Sequence, residues 1–222
     1  MEEYERAIQV AIAEIRTPTR GVTQQFLLVH RVSMNGDQLD VARVDTSAEP
    51  GAFFVYFSVV DEPYYFVVVI RPIHNQITVS DSYVEAWVRT YLAIYSPLLT
   101  ADDITQRLKL KPTATRTKGE RIRPRVQRVY KEHRWYFHPQ EYVPDDLEHK
   151  LAYLLDQVEP ATREIVQLVD EYQCQVCIHI AYHGYKDQMW GWHADQPTIH
   201  RISTLGASVD LDLYASGPDL SD

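Results

Sequence analysis

The chain has 222 residues, of which 45% are apolar and 24% charged, with a net charge of −9. That composition suffices for a buried core, excludes intrinsic disorder and argues against general nucleic-acid binding. The longest apolar stretch, residues 64–70, is about a third of the ~20 residues that a membrane-spanning helix needs.

Residues 2–16 place Tyr4, Ile8, Ile12 and Ile15 on one helical stripe, and the acidic residues among them speak against a secretion signal. Pro18 and Gly21 end that helix. Residues 24–32 and 39–44 flank Met34, Asn35, Gly36 and Asp37, and an Asn-Gly pair between apolar runs predicts a hairpin. Residues 52–60 and 64–71, joined by Asp61, Glu62 and Pro63, predict another. The stretch 82–96 reads two ways. Val84, Val88, Leu92 and Tyr95 make a helical stripe with Ser82 and Glu85 as a capping box, whereas residues 88–95 suit a strand, the reading preferred for that part.

Thr100, Asp102 and Asp103 open a short helix with Ile104 and Leu108 on its apolar side. The hydroxyl takes an orphan amide, and the aspartates suit the positive end of the helix dipole. After a strand at 133–138, Pro144, Asp145 and Asp146 open a helix carrying Leu147, Leu151, Leu154, Leu155 and Val158. Pro160 restarts it to bury Ile165, Leu168, Val169 and Tyr172. Residues 174–182 form a strand, and residues 197–205 a helix stopped by Gly206. A last strand, 208–215, turns Val209, Leu211 and Leu213 inward and Asp210, Asp212 and Tyr214 outward. The expected fold class is α+β. Residues 1–85 give an N-terminal helix on an antiparallel β meander, and residues 86–222 an α+β sandwich with helices covering one sheet face.

Charge is spread unevenly. Residues 100–135 hold 11 basic and 4 acidic residues, whereas residues 136–222 hold 4 and 15. The basic loop 109–134, interrupted by Pro112, Gly119 and Pro124, is expected to be irregular. Its Arg116, Lys118, Arg121, Arg123, Arg125, Arg128 and Lys131 suit recognition of phosphate or carboxylate, with Tyr130, Trp135 and Tyr136 near enough to stack bases. The alternatives are a solvated loop paired with the protein's own acidic helices, and a protein contact. Lys118, Gly119 and Glu120 lack the surrounding residues of a phosphate loop.

The loop 182–193 is the second candidate. Its Trp190 and Trp192 stand with Tyr182, Tyr185, His183 and His193 in a composition typical of binding hot spots, the alternative being a loop folded back on its sheet. Cys174 and Cys177, three apart in a strand, face opposite ways, which disfavours a shared metal or disulfide. Structural thiols in a reducing cytoplasm are the expectation. His179 and His183 share a face with Cys177 and make a loose ligand set with Asp195 or His193, too loose to imply a cofactor. Asp210 and Asp212 share another strand face, either as an acid–base pair or as ordinary exposed aspartates.

One resemblance spans residues 91–214. A strand leads into Leu99, Thr100, Ala101, Asp102, Asp103, Ile104 and Thr105, then Leu110, Lys111, Pro112 and Thr113. Lys118, Gly119 and Glu120, a strand at Trp135, an acidic helix from Asp145 and the ending 205–214 follow. In this order they resemble the bacterial family called domain of unknown function 4279. The resemblance implies no established activity and therefore no catalytic residues. Some relatives accompany secreted bacterial toxins, which implies an immunity role. Nucleophile elbow, Gly-rich nucleotide loop and HExxH are all absent. The expectation is a non-enzymatic cytoplasmic protein-binding module, an immunity protein whose partner is a toxin encoded nearby. The alternatives are an anion or nucleic-acid binding protein using residues 116–131, and a metal-dependent enzyme using His179, His183 or Asp210 and Asp212.

Overall fold

The computed structural model describes residues 2–73, 76–123, 127–139, 144–188 and 191–220. Two helices open the chain, α1 (Glu2–Arg16) and α2 (Gly21–Val29). Helix α1 buries Ala7, Ala11 and Ile15, while Ile8 and Ile12 are half-buried and Tyr4 is exposed. The buried stripe is turned from the expected one toward small side chains, because alanines let a helix lie close on a sheet. The turn into α2 is held by the buried Glu14 carboxylate, which accepts from Thr19 Oγ1 at 2.6 Å and Arg20 N at 2.9 Å.

Helix α2 corrects the strand expected at 24–32. Its buried Thr23 and Phe26 are three apart, a helical spacing. Phe26 stacks on Phe66 at 4.3 Å, and Thr23 Oγ1 donates to Ser82 Oγ at 3.0 Å. Those tertiary contacts outweigh the strand propensity of the local residues.

Strands β1 (Met34–Asn35) and β2 (Gln38–Leu39) form a short hairpin turning at Gly36 (φ 63°), so the Asn-Gly turn is present but its arms are not the expected 24–32 and 39–44. Then β3 (Val41–Asp45), β4 (Phe53–Ser58), β5 (Tyr65–Ile73) and β6 (Gln76–Glu85) make an antiparallel meander in chain order. Its Val55, Phe57, Phe66, Val68 and Ile70 pack on Ala7, Ala11, Ile15 and Phe26. The stretch 82–88 is extended. Val84, Val88 and Leu92 looked helical because residues four apart share a strand face as well as a helix face.

Only Ala86 separates β6 from β7 (Trp87–Ser96), the first strand of a second sheet. There follow α3 (Ala101–Leu108), β8 (Ala114–Arg116), β9 (His133–Phe137), α4 (Leu147–Val158), a 3₁₀ turn (Glu159–Ala161), α5 (Thr162–Tyr172), β10 (Gln175–Tyr185), α6 (Gln196–Thr204) and β11 (Ser208–Ser216). The strand order is β11-β10-β7-β9-β8, with β10 and β11 parallel across α6 and the other pairs antiparallel. Leu92, Ile94, Trp135, Ile178 and Ile180 form one sheet face, against Ile104, Leu151, Leu154, Leu155 and Ile165 of the helices. The α+β class, with helices over one sheet face, is as expected. Thr100 caps α3 in a capping box with Asp103.

Two details differ from expectation. The basic loop is more regular, because β8 pairs with β9 and because Arg121 bridges Val129. In β11 the inward residues are poorly covered: Leu211 is half-buried, but Val209 and Leu213 are exposed, since this strand is the sheet's outer edge.

The two cores meet at a polar seam. Tyr185 of β10 enters the N-terminal core, Gln188 bonds both Val84 N (2.9 Å) and Val84 O (2.7 Å), and Arg43 pairs with Asp145 at 3.0 Å. Among the described residues no helix is long and apolar enough to cross a membrane.

Candidate functional site

Successive side chains of a strand point to opposite faces. With Val88, Leu92 and Ile94 of β7 committed to the helices, Trp87, Arg89, Tyr91, Ala93 and Tyr95 must face the other way. The ladders extend this open face in rows. Arg116 faces Arg134, which faces Tyr95; Tyr136 faces Ala93, which faces Cys177. Tyr91 lies beside His179 and then Asp210, and Trp87 beside His183 and then Tyr214. The face therefore runs from an arginine flank on β8 and β9, through a tyrosine and histidine centre, to an aspartate flank on β11.

The rings hold one another. Tyr91 and His179 stack at 4.9 Å, Tyr136 meets Tyr91 and Tyr95 edge-on at 6.0 and 6.5 Å, and His183 stacks on Tyr214 at 4.5 Å. Tyr95 Oη lies 2.7 Å from His179 Nε2, with Asp210 Oδ2 3.5 Å from Nδ1. The aspartate favours a proton on Nδ1, leaving Nε2 to accept from the Tyr95 hydroxyl. Burial lowers the His179 pKa although Asp210 and Asp212 oppose it, and burial raises the phenols of Tyr91 and Tyr95. The centre is thus neutral and rigid, a surface of ring edges and hydroxyls.

On the cationic flank Arg134 lies over Tyr95 (5.1 Å) and Tyr130 (4.9 Å), and Arg89 over Tyr91 (5.3 Å). A cleft of ≈ 260 Å³ opens here, lined by Arg89, Tyr91, Arg116, Tyr130, Tyr136 and His138. Burial, then Arg89 and Lys150, push the His138 pKa down.

Of the residues singled out in the sequence, Arg116, Tyr130 and Tyr136 line this cleft. Lys118 is exposed and its Nζ donates to Pro97 O at 3.2 Å, while Arg121 and Arg123 are exposed. Arg125 and Trp190 lie outside the described residues. Among the described residues, Arg116, Lys118, Arg121 and Arg123 make no ion pair, so the pairing with acidic helices is not seen there. Trp192 packs half-buried against the C-terminal core, away from the cleft, with its indole nitrogen buried and unbonded. Trp135 is buried on the helix side, donating to Thr105 Oγ1 at 3.0 Å. Both cysteines are buried free thiols whose pKa is raised by burial.

Asp145, Asp146 and His149 bring ligand atoms within 4.8 Å of one another at the start of α4. Asp146 caps that helix by accepting from His149 N at 2.8 Å, and Asp145 binds Arg43. The residues missed in the sequence are Arg89, Tyr91 and Tyr95. Their signal is the odd-numbered alternation of polar and aromatic residues through 87–95, which has meaning only once that segment is known to be a strand.

Neither the curated proteins nor the solved structures give a match to this chain. The family described as Domain of unknown function (DUF4279) matches residues 86–216, which run from the link after β6 through the whole five-stranded sheet and its helices to the end of β11. That match covers more than half of the sequence, and the chain belongs to this family.

Proposed function

We propose that this protein is a non-enzymatic binding module, that the open face of the five-stranded sheet is its recognition surface, and that its partner is a protein. The observation that carries this reading is the ring array of Tyr91, Tyr95, Tyr136, His179, His183 and Tyr214, fixed by mutual contacts between a cationic and an anionic flank. Aromatic side chains already held in place lose little further entropy on binding and supply large contact area. Opposite charges on the two flanks orient the incoming surface.

Catalysis is the weaker reading. Tyr95 and His179 are hydrogen-bonded, but burial moves the phenol up and the imidazole down, so neither is poised as a nucleophile or strong base. The finer reading is an immunity protein that acts in the cytoplasm on a toxin encoded beside it. It is supported by the net charge of −9, which suits a basic partner, and by two buried free thiols.

The test is co-expression with each product of the flanking genes, followed by size-exclusion chromatography and calorimetry. Wild type should form a stable complex with one product, and a Tyr95→Ala, His179→Ala, Tyr214→Ala variant of unchanged circular dichroism should lose it. A complex equally tight with that variant refutes the surface, and failure with every flanking product refutes the immunity reading.

A further inference from the structure

We propose that the cleft between Arg89 and Arg116 is an anion site that takes a phosphate monoester carried on a flat apolar group, an aryl or nucleoside phosphate. The inference rests on the open face being a recognition surface, and it names what the cationic flank of that face receives.

The first support is an imbalance of charge. The protein carries 31 acidic and 22 basic side chains, and Arg43, Arg71 and Arg201 are each held by carboxylates. Arg89 and Arg116 line one cleft from different strands, and among the described residues neither has a carboxylate partner. Arg89 rests over Tyr91, and Arg116 Nη1 donates only to the neighbouring Thr115 O at 2.7 Å. Two planar forks free to turn toward one space are the arrangement that binds phosphate oxygens bidentately.

The second support is the remaining lining. The hydroxyls of Tyr91 and Tyr130 have no protein hydrogen bond among the described residues, and Tyr91 is kept a neutral donor by burial. Arg134 stands just behind, over Tyr95 and Tyr130, with Nε buried and unbonded. His138 completes the ring of groups. Burial and two neighbouring cations hold its imidazole neutral, and a dianion entering the cleft reverses that field and favours the imidazolium.

Size decides the class. A space of ≈ 260 Å³ exceeds a phosphoryl group, and the rest of its wall is tyrosine ring, Ala114 and Thr113, so that a flat remainder can lie against the rings. A monoester dianion matches two guanidinium groups and one imidazolium better than a carboxylate, which a single fork satisfies.

The experiment is calorimetric titration of the full chain with phenyl phosphate, adenosine monophosphate, inorganic phosphate and benzoate, with His138 followed by proton NMR. Saturable binding of at least one monoester is expected, with benzoate weaker by about tenfold, weakening with added salt, and an upward movement of the His138 pKa. Arg89→Ala and Arg116→Ala lie at exposed positions and should each weaken binding by about tenfold or more. Arg→Lys at either position should recover only part of that loss. Tighter binding of adenosine monophosphate assigns a nucleoside carrier, and tighter binding of phenyl phosphate an aryl one. No saturable binding, binding indifferent to both alanine variants, or benzoate as tight as the monoesters overturns the site. If anion binding fails while the Tyr95, His179 and Tyr214 variant still loses its protein partner, only this inference falls. If that variant keeps its partner, the surface itself falls.

Discussion

Glu85 ends β6 at the seam between the two halves, half-buried near Tyr83 and Tyr182 and close to Asp146, Glu148 and Asp145 at the start of α4. Burial first, and Asp146 next, push its carboxyl up from 4.5 to about 7. Below pH ~4 the group is protonated in both folded and unfolded chains and costs nothing. Between 4.5 and about 7 the unfolded chain ionises while the folded one stays protonated, so stability falls as pH rises, and above about 7 the full cost is present. That separation corresponds to about 3 kcal/mol, reduced to about 2 kcal/mol by the side chain's partial contact with solvent. Glu85→Gln removes the ionisation with little change of shape. Urea unfolding followed by tyrosine and tryptophan fluorescence should show the variant about 2 kcal/mol more stable than wild type at pH 8 and within about 0.5 kcal/mol of it at pH 4.5. Other titrating groups, including Asp45 and His149, are common to both proteins and cancel in the difference. A variant less stable at pH 8, or a gap that does not change with pH, would refute the reasoning.

Two further substitutions probe the frame that positions the open face. Gly217 sits at φ 107°, where an added Cβ would press on Tyr64 Oη and stand 2.7 and 2.8 Å from the Tyr185 ring. Gly217→Ala should cost about 1–3 kcal/mol in thermal or urea unfolding, and a loss under about 0.5 kcal/mol would show that the tail does not pack at the seam. Thr100→Ala removes the hydroxyl that accepts from Asp103 N at 3.2 Å and should cost about 1 kcal/mol, with hydrogen exchange accelerated in the first turn of α3. Unchanged exchange there would show that the capping box contributes nothing.

The C-terminal helices and most strands could be read along the chain because their signals are local. Thr100 with Asp103, Asp146 at the start of α4, Gly206 after α6 and the leucines of α4 each act within a few residues. Helix α2 could not be read that way. Its boundary depends on Phe26 finding Phe66 and Thr23 finding Ser82, partners tens of residues away. The candidate site divides in the same manner. Basic residues of the loop 109–134 stood out by composition, and Arg116 among them does line the cleft.

The order of strands could not be known from local pattern. Parallel pairing of β10 with β11 and insertion of β7 between β10 and β9 bring Arg116, Arg134, Tyr95, His179 and Asp210 onto one face from five strands separated along the chain. Alternation within each strand, a property of the residues themselves, settles which side chains point away from the helices. Pairing between strands settles which of them become neighbours. That pairing is set by burial of the opposite face, where Trp135, Leu92 and Ile178 share one core, so the recognition surface is a consequence of packing on the side it does not use.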